Sequence, residues 1–532
     1  MRYFLNLFFI IGSLLSLVAC QRPVDQKPAY GDTMIIGHFY PSPPNLNPLF
    51  SLSGVSAVFL QRLLFNGLVE IDQNMQAQPS LAKDWQRSAD GLEWGFYLRK
   101  GLRFHDGHEL TASDVQATYD LLRKYPDKTS FPELFRLIRS ISLPGKYTIK
   151  IELSSFSADF IHCLSYGILP KRVADRSDPF GPLPDTQIIG TGPFKLARQQ
   201  GKEIVLEANP HYFKGRPYLE RVIIRQYPDQ QHVWARLMRG EIDFFYDISP
   251  NNYAILEGVP ALRVYSYLHP YYYLLALNRQ KPLFQDPRVG QALNYALDRE
   301  RLITQVLQGR GQPAIGPIYP LSWAYDPQIK AFPYNPTKAL NILKEAGWED
   351  HDGDRFLDKG GRPLEFSLYI VQGDRMMEQT GLLLQEQLLN LGIKAKIQSI
   401  PYDIFAEKYY FAKNFEACLT YLATREDPNF NYKFYHSSQI AGGMNFFSYR
   451  NPEVDRLLDQ ARQEPDQAKR KQLYSRFQQI LQQDPPGIFL FWREMLTAVH
   501  RRFRGIGIGP GGPLLNIHEL YVPRAEQKYR KE

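Results

Sequence analysis

An acidic segment at positions 350–358 has the residue types and spacing of a calcium-binding loop. It reads Asp-His-Asp-Gly-Asp-Arg-Phe-Leu-Asp, so carboxylates occupy loop positions 1, 3 and 5, as at the start of an EF-hand. An EF-hand also requires glycine at position 6 and a bidentate glutamate at position 12, where this chain has Arg355 and Gly361. This mismatch favours a plain connecting loop, with calcium as the alternative, and we predict no metal site and no cofactor.

A second polar cluster, His-Asp-Gly-His-Glu at 105–109, also contains side chains that ligate metals. A metal ion needs ligands that converge on one point, whereas adjacent turn residues diverge. The surrounding pattern predicts a half-buried strand from Trp94 to Leu98, which resumes at Leu102–Phe104, and a turn at Asp106-Gly107. Thr111 or Ser113 then caps a helix. The cluster is therefore predicted to be a structural turn.

The sequence shows no constellation typical of an enzyme. It contains no G-x-S-x-G motif, and neither Cys163 nor Cys418 has a histidine partner motif. The glycine-rich stretch 505–512 lacks the Lys-Ser/Thr ending of a phosphate loop. We predict a protein that is not an enzyme. Both cysteines lie in apolar surroundings and are predicted to be buried free thiols, with a disulfide bridge as the minor alternative.

The N-terminus has the features of an export signal. An apolar run from Phe4 to Val18 follows Met1-Arg2 and is too short to span a membrane. Ala19 before Cys20 resembles the lipobox of bacterial lipoproteins, in which diacylglycerol is attached to the cysteine and the chain is cut just before it. We predict a signal peptide at 1–19, lipid attachment at Cys20 and a tether at 20–31. The alternative is an ordinary signal peptide with an incidental cysteine.

The composition indicates a globular chain with more than one core. The 532 residues are 44% hydrophobic and 22% charged, with a net charge of +8 spread along the chain. No basic patch is interleaved with aromatic residues, and a secreted protein does not meet nucleic acid, so that partner is excluded. The basic residues after 523 are interpreted as a solvated end, with contact to anionic lipid as the alternative.

The order of the predicted elements indicates an α/β protein. Strands are predicted at 34–39, 149–153, 222–226 and 271–278, and a helical region begins near 287, where Val289, Ala292, Leu293, Ala296 and Leu297 share one face. A capped helix should end at Gly347. A strand at 364–370, a helix at 376–391 and a strand at 392–400 predict a parallel β-α-β unit. Two helices at 451–481 and strands at 488–491 and 498–506 complete the chain.

Several landmarks in this order resemble one known family. They are the segment from Leu64 to Val115, the turn Gly190-Thr191-Gly192-Pro193, the segment from Asn209 to Tyr218, and the region from 287 onward. Together they are similar to the extracytoplasmic solute-binding proteins that feed oligopeptide and dipeptide ABC importers, bacterial solute-binding protein family 5. The family's pattern has an arginine where this chain has Gly290. In that family an acidic hairpin like 350–358 is a plain connection.

The resemblance implies a two-lobed periplasmic-binding-protein type II fold, with mixed sheets and an extra N-terminal α+β subdomain. Lobe I would comprise 32–76, 187–278 and 497–532, and the extra subdomain 77–186 would pack on it. Lobe II would be an insertion at 279–496. Two crossover strands, at Tyr271–Asn278 and at roughly Leu496–Phe503, would join the lobes.

The resemblance also implies where a ligand would bind. The segment Tyr421-Leu-Ala-Thr424-Arg-Glu-Asp427-Pro aligns with the family's W-x-A-D-x-x-D-P loop, in which the first aspartate holds the α-ammonium of a peptide. Thr424 stands at that position, which puts ordinary peptide binding in doubt unless Glu426 or Asp427 takes over. The candidate ligand-binding residues are Tyr271, Tyr273, Asn278, Tyr319, Trp323, Tyr421, Thr424, Arg425, Asp427 and Trp492.

The implied function is that of the solute-binding component of an ABC importer, which captures a peptide, a peptide-like compound or another small solute by hinge closure. The expected partners are that solute, the permease subunits and, through the N-terminal lipid, a bacterial membrane. We expect a monomer outside the cytoplasm. The alternative is an envelope lipoprotein that serves as a chaperone, sensor or interaction protein on the same fold.

Overall fold

The computed structural model of the protein describes residues 27–39, 46–49, 55–425 and 427–529, without the side chains of 55–59 and 408. The predicted signal peptide, Cys20, most of the tether and Glu426 lie outside the described residues. Within the described ranges, no helix has both the length and the apolar character needed to cross a membrane.

A single mixed sheet of eleven strands is the frame of the molecule. A short strand, Gly311–Pro313, pairs with Gly487–His500 beside the main path. The other ten strands lie in the order Lys394–Ile400, Glu365–Val371, Ala417–Ala423, Leu262–Leu277, Gly487–His500, Phe244–Ile248, Thr33–His38, Arg221–Gln226, Glu203–Ala208 and Phe194–Gln200.

The two long strands in the middle of this sheet connect its two halves. Leu262–Leu277 and Gly487–His500 pair antiparallel, from Leu262 opposite His500 to Ala276 opposite Gly487. Strands from residues before 262 lie on one side, and strands from 365–423 lie on the other. The predicted crossover pair is therefore present. The second predicted crossover, at roughly 496–503, overlaps this strand, which runs from Gly487 to His500. The separate strands 488–491 and 498–506 were wrong, because one continuous strand replaces them and ends at His500.

The half of the sheet that contains 365–423 has the predicted β-α-β unit. Glu365–Val371 and Lys394–Ile400 are parallel neighbours, connected by the helix Arg375–Leu389. The predicted helix near 287 begins at Pro287 and ends at Ala296, and the five residues predicted to share its apolar face are all buried. Gly290 faces Pro485, whose Cγ would lie 3.1 Å from an added Cβ, so the arginine of the family's pattern has little room here.

A separate four-stranded sheet lies within the range 77–186. Its order is Ala82–Arg87, Glu93–Leu98, Thr148–Leu153 and Ile138–Gly145. The helix Ala112–Lys124 begins at Thr111, whose backbone N–H donates to Asp114 in a capping box. Leu102–Phe104 forms one isolated bridge, between Arg103 and Glu109, rather than the predicted strand. Backbone hydrogen bonds from Phe104 to His108 and from Leu110 to Leu102 (both 2.9 Å) flank this bridge.

His105 joins this sheet to the main frame. Its Nδ1 accepts from the Gly190 N–H (3.2 Å) and its Nε2 donates to the Gly192 carbonyl (3.1 Å), which fixes the neutral ring. Burial lowers the pKa of His105 to about 4. The turn at 190–193 packs closely on the end of the helix Val55–Leu64, since a Cβ at Gly190 would lie 1.9 Å from the Leu64 carbonyl oxygen. The polar cluster at 105–109 is thus structural, as predicted.

The remaining elements cover the sheets. The helices are Val55–Leu64, Pro132–Arg136, Phe160–Cys163, Lys171–Ala174, Gln230–Met238, Tyr253–Glu257, Pro282–Gln285, Arg299–Val306, Pro336–Glu345, Tyr402–Phe405, Tyr432–Tyr435, Pro452–Gln463 and Gln467–Gln483, with a π-helix at Ala406–Phe411. Short two-stranded pairs join Val69–Ile71 to Ala77–Pro79, Asp358–Lys359 to Arg362–Pro363, and Ile508–Gly509 to Gly512–Pro513. Cys163 and Cys418 are buried free thiols, as predicted, and burial raises the pKa of each.

Candidate functional site

Three tyrosine rings meet where the long strands cross between the two halves. Tyr273 is the antiparallel partner of Tyr421, and Tyr271 is the partner of Ala423. The Tyr421 ring lies 5.6 Å from the Tyr271 ring and 5.5 Å from the Tyr273 ring, centre to centre. Tyr421 is 42% exposed, so the group presents an aromatic surface that a solute can reach.

A charged group lies beside these rings. The Arg493 guanidinium donates to Asp247 (2.8 Å) and, through Nε, to the Tyr273 hydroxyl (3.0 Å). Burial alone would raise the pKa of Asp247, but the charge of Arg493 and its hydrogen bond together oppose burial and the pKa is lowered. Asp247 adopts a left-handed φ of 56° at a β-bulge, and such strained positions cluster at functional sites. The pair thus fixes a cation and an anion at the crossing.

Two further titratable groups line this part of the molecule. The His269 ring stacks on Tyr271 with centroids 4.3 Å apart, and burial lowers the pKa of His269 to about 3. Burial also raises the pKa of Asp374, although Arg493 partly opposes this shift. The sequence analysis missed Asp247, His269, Asp374 and Arg493. The one local signal was the charged pair Arg493-Glu494 within an otherwise apolar run.

Four other sequence-predicted residues lie away from this surface: three are buried, and Trp323 is partly buried against the core. Trp492 and Tyr319 are almost fully buried and their rings contact each other at 5.3 Å on the opposite face of the sheet. Trp323 packs against Tyr474. Asn278 donates from Nδ2 to the carbonyls of Lys413 (3.0 Å) and Phe415 (2.9 Å) and so closes a loop. These contacts are structural, and a ligand-binding role for these residues stays a prediction.

The loop after Tyr421 contains three candidate residues, and their contacts differ. Thr424 is 8% exposed, and its N–H donates to the Pro270 carbonyl at 2.8 Å. Asp427 forms a bidentate pair with Arg470, with distances of 2.6 and 2.9 Å, and both side chains are 6% exposed. Its Oδ1 also accepts from the Asn429 N–H (2.8 Å). Asp427 is therefore paired with Arg470 in the core, whereas Arg425 lines a cavity.

Arg425 lines a cavity of about 420 Å³ between the two halves. Arg425 is the lining residue that comes from the segment between the two long strands. The other lining residues are 61–63, 65–67, 69–73, 80, 130–131, 165–167, 193, 212, 214 and 513–519. The Arg425 guanidinium lies 5.4 Å from the Phe131 ring and 5.3 Å from the Phe430 ring. Its positive charge also opposes the burial that raises the pKa of Tyr271.

The acidic loop at 350–358 lies apart from this site. Asp350, Asp352 and Asp354 are exposed, with carboxylate oxygens within 4.8 Å of one another. Backbone N–H groups of the loop donate to all three, for example Gly353 to Asp350 at 2.7 Å and Phe356 to Asp354 at 2.8 Å. The carboxylates thus accept hydrogen bonds within the turns, and calcium binding at this loop stays the alternative.

Two lobes joined by two crossing strands, with an aromatic and charged surface at the crossing, define a periplasmic-binding type of fold. Residues 76–442 match the family model described as bacterial extracellular solute-binding proteins, family 5 Middle. The chain is 32% identical over 509 residues to the oligopeptide-binding protein AppA of Bacillus subtilis, covering 94% of this chain and 93% of that protein. The chain belongs to the bacterial extracellular solute-binding proteins, family 5.

Solved structures agree with this assignment. The structure of B. subtilis AppA in complex with a nonapeptide superposes with a TM-score of 0.79 and covers 93% of this chain and all of that one. NikZ from Campylobacter jejuni in complex with Ni(L-His) is 28% identical with a TM-score of 0.80, covering 92% of this chain and 99% of that chain. The family fold therefore accompanies different ligands.

Proposed function

We propose that this protein captures a small solute, peptide or peptide-like, between its two lobes and delivers it to an ABC permease. The observation that carries this proposal is the group formed by Arg493, Asp247 and the three tyrosines at the strand crossing. Lobe I contributes Asp247, lobe II contributes Tyr421, and the crossover strands contribute Arg493, Tyr271 and Tyr273. A solute bound there touches both lobes and so favours the closed state.

The lobe boundaries belong to the same proposal. Lobe I comprises 32–76, 187–278 and 497–532, the extra subdomain 77–186, and lobe II 279–496. Since two strands connect the halves of the main sheet in the part of the chain that the structure describes, a change of a few dihedral angles near the crossing moves one lobe as a unit. The protein acts as a monomer and performs no catalysis.

Tyr421 offers a test of the site. Tyr421→Ala removes an exposed ring, so stability should change little while solute affinity falls about tenfold, or 1.4 kcal/mol. Tyr334→Ala, at a 51% exposed tyrosine outside the crossing, is the control and should leave affinity unchanged. Calorimetry with pools of di- to pentapeptides measures both. Equal affinities of the two variants and the wild type would place the solute elsewhere.

The identity of the residue at 424 bears on the ligand class. Without a carboxylate there, the ammonium of a free peptide lacks its partner, at a cost of about 3–5 kcal/mol, so free peptides should bind poorly. Thr424→Asp should then increase affinity for short peptides at least a hundredfold. Tight wild-type binding that N-acetylation abolishes would show that another carboxylate holds the amine.

We also propose that Cys20 carries the lipid that anchors the protein on the outer side of a bacterial cell membrane. The apolar run and Ala19 before this cysteine support the anchor. Cys20→Ser should release the protein into the soluble fraction or leave it uncleaved. Membrane association that survives this substitution unchanged would exclude the lipid as the anchor.

A further inference from the structure

The positive charge of Arg425 lies in the interlobe region without an acidic partner. Among the residues that the structure describes, none forms an ion pair with its guanidinium, and its Nε is buried without a hydrogen-bond acceptor. A buried guanidinium N–H that lacks an acceptor is costly, so structures usually supply one. Among the described residues, none supplies an acceptor to this N–H.

Three carboxylates that line the same small pocket as Arg425 are engaged by other groups. Glu133 faces Lys433 at 3.5 Å, and Asp159 accepts from Asn429 Nδ2 at 2.8 Å. Asp427 is held by Arg470. Each of these contacts draws an acidic group away from Arg425, although all three carboxylates line the same small pocket beside it. Burial lowers the pKa of Lys433, and the charge of Arg425 is a smaller cause that Glu133 and Asp159 oppose.

The surroundings of Arg425 orient the guanidinium. Phe131 from the extra subdomain and Phe430 from lobe II flank it, and Ser130 and Tyr166 line the adjoining cavity. The planar group therefore has apolar faces and a cavity of about 420 Å³ at its edge. A guanidinium held in this way binds carboxylate or phosphate through parallel N–H···O bonds.

We propose that Arg425 binds an anionic group of the solute, a carboxylate or a phosphate, and so selects acidic ligands that need no free amine. This rests on the proposed function and reverses the charge preference of the aligned family loop. Thr424 does not supply the carboxylate that pairs with an ammonium, and Arg425 at the next position places a cation in the cavity. The guanidinium binds the negatively charged end of the solute, whose oxygens accept its hydrogen bonds.

The test compares three pools of N-acetylated di- to pentapeptides by calorimetry. One pool ends in a free carboxylate, one is amidated, and one is amidated and carries a phosphoserine. The wild type should bind the carboxylate pool or the phosphoserine pool at least about tenfold more tightly than the amidated pool. The pool that shows the preference identifies the anion.

Three variants locate the effect. Arg425→Met, which keeps the apolar stem between the rings, should abolish the preference, and Arg425→Lys should retain part of it. Arg301→Met is the control, because Arg301 lies in lobe II but is paired with Glu386 at 3.0 Å; it should behave as the wild type. Thermal melting confirms that each variant is folded.

The outcomes separate the two proposals. Equal binding of acidic and amidated pools by the wild type, or a preference that persists in Arg425→Met, would overturn the role of Arg425 and leave solute binding intact. If the wild type bound none of these pools and no unblocked peptide, both the anion site and the proposed peptide-like ligand would fall.

Discussion

The buried pair between Asp427 and Arg470 should stabilise lobe II rather than bind a solute. Asp427→Asn keeps an acceptor for the Asn429 N–H but leaves the Arg470 charge unpaired at 6% exposure. Burial would lower the pKa of Arg470, and the Asp427 carboxylate outweighs burial and raises it. Removing one partner of such a pair costs about 3–5 kcal/mol. For a cooperative unit of roughly 150–250 residues, the melting temperature should fall by about 6–20 °C.

Differential scanning calorimetry measures this change, and a neighbouring ion pair provides the control. Arg476 lies on the same helix as Arg470 and contacts Glu453 at 2.9 Å, but both side chains of this pair are more than 40% exposed. Glu453→Gln should cost less than about 1 kcal/mol. The double variant Asp427→Asn/Arg470→Met should recover part of the loss.

The alternative assigns Asp427 to the amine of a peptide in place of Thr424. It requires that the free energy of unfolding of Asp427→Asn lie within about 1 kcal/mol of the wild-type value, while the variant loses peptide affinity. That combination of results would refute the structural role of the pair.

Three further predictions concern stability and the charged group at the crossing. His105 has a depressed pKa of about 4, so the stability that its neutral ring contributes is present above pH 6.5 and is lost as the pH falls. In denaturant unfolding, the loss of stability between pH 7 and pH 5 should be about 2 kcal/mol smaller for His105→Gln than for the wild type. Gly190→Ala should cost roughly 3 kcal/mol or more, whereas Gly107→Ala, at an open turn with φ of 89°, should cost about 1–2 kcal/mol. Arg493→Met should raise the pKa of Asp247, as carbon-13 NMR of its carboxyl group would show, and should weaken solute binding at least tenfold.

Each of these has a contrary result. An unchanged pH slope in His105→Gln would mean that the ring is not held neutral by the turn. Equal costs at Gly190 and Gly107 would contradict the close packing of the turn on the preceding helix. An Asp247 pKa that Arg493→Met leaves unchanged would show that the pair does not control that carboxyl.

Local patterns predicted most of the elements, because they depend on residues close in sequence. The helix Pro287–Ala296 was predicted from its apolar face, and the β-α-β unit at 365–400 from alternating periodicities. The strand Gly487–His500 was predicted as two pieces because Arg493 and Glu494 interrupt its apolar run. The structure tolerates both charges by pairing them with Asp247 and Arg310.

The site was harder to predict because its residues come from distant segments. Asp247 and Arg493 are 246 residues apart, and no local pattern links them. Tyr273 and Tyr421 were predicted through the resemblance, and antiparallel pairing brings them together. Side chains alternate across a strand, so Trp492 faces the core while Arg493 faces the tyrosines. Which face becomes the cleft depends on the long-range register.

Small-angle X-ray scattering tests the central claim, closure of two lobes around a solute, most directly. The protein would first be unfolded and refolded to remove any bound compound, then titrated with the free and acetylated peptide pools and with a low-mass extract of the cell envelope. We expect a saturable decrease in the radius of gyration with at least one of these additions. A radius that stays constant through every titration would contradict solute capture by closure and favour an envelope interaction protein on the same fold.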